Sequence, residues 1–162
     1  MANESLTTYL NDHLAGSVVA LELLDHLEND GAGTAETSLL AGVHAEIEAD
    51  RQELEAFMAQ LGIAVSAPRK ATGWLVEKLS EIKLHLDDAG DGALRRLEAL
   101  ETISLGIAGK QALWHALAAA AEDAPELKGL DYARLGQRAE TQREVVERLR
   151  LHAAKEAFGT GS

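Results

Sequence analysis

From Leu40 to Leu61 the apolar residues Leu40, Val43, Ile47, Leu54, Phe57 and Leu61 recur at steps of three, four and seven. At about 100° per residue these steps gather on one side of an α-helix, and they do not match the alternation of a half-buried strand. Thr34 precedes the stretch, Thr37 and Ser38 are further capping candidates, Glu36 lies in the first turn, and Gly62 follows. A hydroxyl can satisfy free N–H groups at a helix start, a carboxylate suits the dipole there, and glycine supplies the positive φ of a helix exit. A helix is therefore expected from Thr34 or Ala35 to Leu61. Asp50 falls where its seam requires an apolar residue, and Arg51 borders that seam.

Three other long stretches have the same period. Leu6, Leu10, Leu14, Leu21 and Leu24 place a helix at about 4–28, with His13 and Ser17 on its stripe. A third helix is expected at about 93–122, with Leu94, Leu97, Leu100, Ser104, Ile107, Ala108, Gln111 and His115 facing inward. Gly106 and Gly109 interrupt it, and the expected reason is close approach of another helix. A fourth helix, at about 131–158, has Asp131 as N-cap and a seam of Leu135, Ala139, Val146, Leu149 and Ala153, broken by Gln142. Asn29–Gly33 and the residues from Asp123 to Gly129 read as short connections. The joint between the second and third helices is longer. It contains Pro68 and its own stripe, Trp74, Leu75, Leu79, Ile82 and Leu86, which predicts a short helix at about 72–88. Residues 1–158 are expected to form one all-α domain of two antiparallel hairpins, with 159–162 as a flexible tail.

Composition removes several functions. There are 0 cysteines among 162 residues, which excludes disulfides, thiolate catalysis and cysteine-held metal clusters. A net charge of −12 argues against phosphate-backbone binding and against an anionic membrane surface. The N-terminal residues show no secretory pattern, so a cytoplasmic location is expected. No Ser–His–Asp order, phosphate-cradling glycine loop or histidine-rich metal cluster is present.

The chain carries a weak internal repeat. Superposing Glu48-Ala49-Asp50-Arg51 on Glu140-Thr141-Gln142-Arg143 brings Leu54 onto Val146, Glu55 onto Glu147 and Phe57 onto Leu149. With Glu46-Ile47-Glu48 and Leu54 to Gly62 on the second helix, Leu97-Glu98 to Gly106 on the third and Glu140 to Val146 on the fourth, the chain resembles the ferritin-like superfamily. The nearest resemblance is to bacterial stress-associated proteins of the YciE/YciF type. The resemblance implies a four-helix bundle of two hairpins joined by a long crossover. It also implies a dinuclear metal site built from one Glu on each of two helices and Glu-x-x-His on the other two. Here Glu48 and Glu140 match the glutamates of that motif. Arg51 and Arg143 stand where the histidines belong, and a guanidinium is a donor that cannot ligate a metal. Glu101, or Glu98, matches the carboxylate of the third helix, and the first helix offers only Ser17, Val18 or the off-stripe Glu22.

These residues leave two readings. In the first, the metal centre is degenerate: Arg51 and Arg143 neutralise the carboxylates, no residue is assigned to metal, cofactor or catalysis, and the protein is a structural or interaction bundle that forms homo-oligomers. In the alternative, iron or another divalent metal binds Glu48, Glu101, Glu140 and His44 and supports a ferroxidase or oxidoreductase activity. Asp50 and Gln142 admit either a buried polar layer joined by Ser17, Ser104 and Gln111, or two solvent-facing side chains. Trp74 and Trp114 are expected either to mark a docking surface or to fill space between crossover and bundle. His115 is expected to be a hydrogen-bonded core residue.

Overall fold

In the computed structural model, residues 3–31, 34–66, 77 and 92–159 are described. Four long helices account for most of them: α1 (Glu4–Asp30), α2 (Ala35–Gln60), α3 (Gly92–Ala120) and α4 (Tyr132–Phe158), with a 3₁₀ turn at Pro125–Leu127. No strand occurs among the described residues, and no helix there is long and apolar enough to cross a membrane. The predicted crossover helix at 72–88, with Trp74, lies outside the described residues.

The helix ends follow from side chains that satisfy free backbone groups. Asn3 Oδ1 accepts the Ser5 N–H at 2.9 Å, Thr34 Oγ1 accepts the Thr37 N–H at 3.1 Å, and Asp131 Oδ1 accepts the Arg134 N–H at 3.0 Å. Gly62 has φ 69°. Its N–H donates to the Ala59 carbonyl at 3.1 Å, while that of Ile63 reaches back to Met58 at 2.9 Å. This pair of bonds, with buried Met58 against buried Ile63, is a Schellman closure. Beyond it, Asn11 of α1 ties down the exit. Its amide donates to the Ala64 carbonyl at 3.2 Å and its oxygen accepts the Ser66 N–H at 2.7 Å.

Ion pairs reveal the helix directions. Glu36 and Asp50 of α2 meet Arg96 and Lys110 of α3 in the same order, so α2 and α3 run parallel. Glu53 meets Arg134 while Glu36 meets His152, so α2 and α4 are antiparallel. His44 reaches back to Glu28, as an antiparallel α1–α2 hairpin requires. Neighbours are α1 with α2, α3 with α4, α1 with α3 and α2 with α4, leaving α1/α4 and α2/α3 as diagonals. The chain therefore leaves α2 at one end of the bundle and enters α3 at the other.

The core divides into two apolar clusters. One holds Leu23, Leu24, Leu40, Ile47, Leu100, Ile103, Ile107 and Val146, and the other Leu10, Leu14, Leu54, Phe57, Leu113, Trp114, Leu117 and Leu135. Full burial of one such side chain is worth about 1.5–3 kcal/mol, so these clusters provide the main driving force.

Three expectations for α3 are corrected. Its inward seam beyond Leu100 is Ile103, Ile107, Leu113, Trp114 and Leu117, and His115 is exposed. Trp114, at 1% exposure, is no docking surface, and the crossover it was expected to pack against lies outside the described residues. Gly106 and Gly109 are not close-approach positions, because a Cβ at either meets no described atom within 4 Å. A close approach to another helix occurs instead at Gly129, where a Cβ would stand 3.0 Å from the Phe57 ring of α2. Gly106→Ala should therefore stabilise the protein by roughly 0.5–1 kcal/mol, raising the thermal midpoint by about 2–4 °C per kcal/mol for a chain of this size. A melting curve checks this, and a lowered midpoint would mean that another helix does approach Gly106.

Candidate functional site

The two seam breaks lead to the polar centre of the bundle. Asp50 and Gln142 are each 1% exposed, and Gln142 Nε2 donates to Asp50 Oδ2 at 3.1 Å. Of the two readings of these residues, the buried polar layer is the observed one. Lys110, on the α3 seam between Ile107 and Trp114, enters from the third side. Its Nζ donates to both Asp50 Oδ2 and Gln142 Oε1. Arg138, one turn before Gln142, donates to Asp50 Oδ1 through Nε at 2.7 Å and also through Nη2.

Asp50 is thereby saturated. A carboxylate has about four lone-pair sites, and here each oxygen receives two N–H donors. The network continues outward through Glu53, whose Oε1 accepts from Arg138 Nη2 at 2.8 Å. Arg134 grips Glu53 with a two-pronged contact of 3.3 and 2.6 Å. The Arg134 guanidinium holds the Glu53 carboxyl below the ordinary glutamate range, against a smaller opposing effect of burial, with Arg138 adding to the depression. Burial pushes the Lys110 amine below its ordinary value, and the Asp50 charge resists that shift.

Burying these charges is costly unless every one is paired and hydrogen-bonded. Here the pairing is complete for Asp50, and Gln142 engages both its oxygen and its amide nitrogen. Among the described residues, nothing in the cluster offers a free carboxylate or imidazole. What the arrangement can do chemically is hold three helices at one register.

The residues expected to form the metal motif lie elsewhere. Glu48 is exposed, because two residues correspond to about 200° of helix, so the face opposite Asp50 carries Glu48. Arg51 bonds Glu55 at 3.0 Å on its own helix. Arg143 is exposed, and Glu140 accepts from Gln111 Nε2 at 2.7 Å. Glu101 faces Arg150 at 3.3 Å, and His44 Nδ1 pairs with Glu28 at 2.7 Å. Arg51 and Arg143 thus do not neutralise Glu48 and Glu140 in the interior, and the set Glu48, Glu101, Glu140 and His44 does not converge. Among the described residues no group of three His, Asp or Glu side chains is placed to hold a metal ion. The interior polar positions do not fit a dinuclear centre either, since Lys110 and Arg138 are cations and the one central carboxylate is saturated.

Two expected members of the layer are absent from it. Ser17 donates to the Leu14 carbonyl of its own helix at 2.6 Å, and Gln111 bonds Glu140 outside the cluster. Sequence reasoning missed Lys110, Arg138 and Glu53. Lys110 carried a usable signal: it is the one Lys, Arg, Asp or Glu between Thr102 and Ala121, and it continues the step Ile103, Ile107, Lys110, Trp114, Leu117.

Removing one partner leaves a buried charge uncompensated. Asp50→Leu or Lys110→Met alone should cost about 3–5 kcal/mol in urea unfolding. Combining Asp50→Leu, Lys110→Met and Gln142→Leu should recover most of that loss, since Arg138 keeps Glu53. If the combined loss equals the sum of the single losses, the residues do not act as one network.

Comparison with protein-family models, with curated proteins and with solved structures finds no match.

Proposed function

We propose that this chain is a ferritin-like bundle in which a salt-bridged polar layer stands where the superfamily's dinuclear metal site would be, and that it serves as a structural or interaction module without oxidoreductase chemistry. One observation carries the reading: Lys110 Nζ lies between Asp50 and Gln142 in the middle of the bundle. An ammonium at that point repels a divalent cation and occupies the carboxylate that would bind it. The ferritin-like part rests on the motif resemblance. The parallel course of α2 and α3 supports it, because two hairpins joined by a crossover have that relation. A stress-associated role follows from the resemblance alone.

Association as a homo-oligomer has an uncharged strip to use. The outer side of α3 presents Leu105, 62% exposed, with Ala112 and Ala116 beside it. Exposed apolar surface of this kind suits a protein contact better than it suits water.

Anaerobic titration with ferrous iron, followed by counting metal per chain, tests the reading. Binding should not exceed that of an acidic surface control. Arg51→His with Arg143→His should leave the count unchanged, since neither side chain lies at the centre of the bundle. Two irons held tightly by each wild-type chain would overturn the proposal.

A further inference from the structure

The charges that join the two hairpins have one polarity. The ion pairs that α2 makes with the second hairpin place the carboxylate on α2 and the cation on α3 or α4: Glu36 with Arg96, Asp50 with Lys110 and Arg138, and Glu53 with Arg134 and Arg138. Composition enforces this. Residues 1–61 contain 12 acidic side chains and 1 basic one, whereas residues 92–159 contain 10 of each. The first hairpin has almost no cation to offer in return.

We propose that the contact between the hairpins is an acid-sensitive latch, so that protonating the α2 carboxylates parts the two hairpins while each remains helical. The proposal does not depend on the ferritin-like reading. Its centre is Asp50, faced by Lys110 from α3 and by Arg138 and Gln142 from α4. Glu53 and the exposed Glu46 of α2 are nearby. Lys110 and Arg138 are two cations sharing one low-dielectric space, and the α2 carboxylates Asp50 and Glu53 are what offsets them. In acid the second hairpin also loses its 10 anions and keeps its 10 cations. The two apolar clusters span both hairpins and do not titrate, but α1 packs more extensively on α2, and α3 on α4, than any helix of one hairpin packs on a helix of the other, so the contact between hairpins is the one that depends most on its charges.

The sign follows for Glu53. Its carboxyl is held below the ordinary range, so it adds stability above that range and the contribution is lost as pH falls through the folded value. Glu53→Gln lacks the contribution at neutral pH and converges with the wild type in acid. Its latch must open at a higher pH.

The chain reports the event itself. Trp114 of α3 is buried in the cluster that includes Leu10, Leu14, Leu54 and Phe57 of the first hairpin. With 2 tryptophans in the chain, Trp74→Phe makes Trp114 the single reporter. Trp114 emission and far-UV circular dichroism are then followed from about pH 7 to about pH 3, across the range where carboxyls titrate. The red shift of Trp114 should come about one pH unit above the loss of helical signal, a separation of tenfold in proton activity. Glu53→Gln should move the Trp114 midpoint up. Asp50→Leu with Lys110→Met and Gln142→Leu should move it down, and should that variant fail to fold, Glu53→Gln decides alone. Coincident transitions of the two signals, or an unmoved midpoint in Glu53→Gln, would overturn the latch.

Discussion

A carboxylate that water cannot reach must be met by donors from every side, and Asp50 at 1% exposure imposes that condition on the whole bundle. α2 cannot satisfy it alone. Helical side chains on one face are three or four residues apart, and the neighbours at those steps on α2 are Ile47, Leu54, the exposed Glu46 and the outward-leaning Glu53, none of them a donor. The donors arrive from α3 and α4 instead, and both must be in place at once. With Lys110 opposite Asp50 and Arg96 opposite Glu36, α3 has one direction and one register relative to α2. Arg138 and Gln142 then set α4 against both. The apolar clusters on either side supply the driving force, but leucine against leucine tolerates a slip that a saturated carboxylate does not.

Much of the bundle was legible because the apolar period is long and the punctuation is conventional. Thr34, Asp131 and Gly62 act as their chemistry suggests, and Asp50 and Gln142 were visible as breaks in otherwise regular seams. The reading of α3 failed for a specific reason. Ala and Leu occur on nearly all sides of that helix, so more than one apolar stripe can be drawn, and the stripe through Ser104, Gln111 and His115 was one turn-face away from the true one. A charged residue at a seam position was the better guide, since Lys110 has no reason to follow Ile103 and Ile107 at that spacing unless a partner awaits it. Arg138 gave no comparable signal. It lies on a helix with several other arginines, and only its three-dimensional neighbours distinguish it.

The motif that drew attention to metal chemistry contained the right superposition and the wrong face. Glu48 to Arg51 over Glu140 to Arg143 also places Asp50 on Gln142, and those are the residues that meet across the α2/α4 seam. Leu54 and Val146, likewise equated, are both buried. The internal repeat therefore reflects a real correspondence of inward positions. What differs is the occupant of the space between them. Two seams that both offer oxygen atoms create a demand for a cation, and α3 meets that demand with a lysine side chain already attached to the chain.

An attached cation has a consequence that a bound ion lacks. Lys110 is supplied at fixed stoichiometry, but its stem also anchors α3, so position and charge are delivered together. The contribution of such a buried network to net stability is small, because desolvation offsets most of the attraction. Its contribution to choosing among packings is larger. Sliding α3 by one turn would place Leu113 or Trp114 near Asp50 and Lys110 against leucines, leaving charges without partners on both helices. Each misaligned arrangement is penalised by unpaired charge. The polar layer thus excludes alternatives that the two apolar clusters alone would leave close in energy, and the single polarity of the inter-hairpin pairs extends the same exclusion to any packing of one acidic hairpin against another.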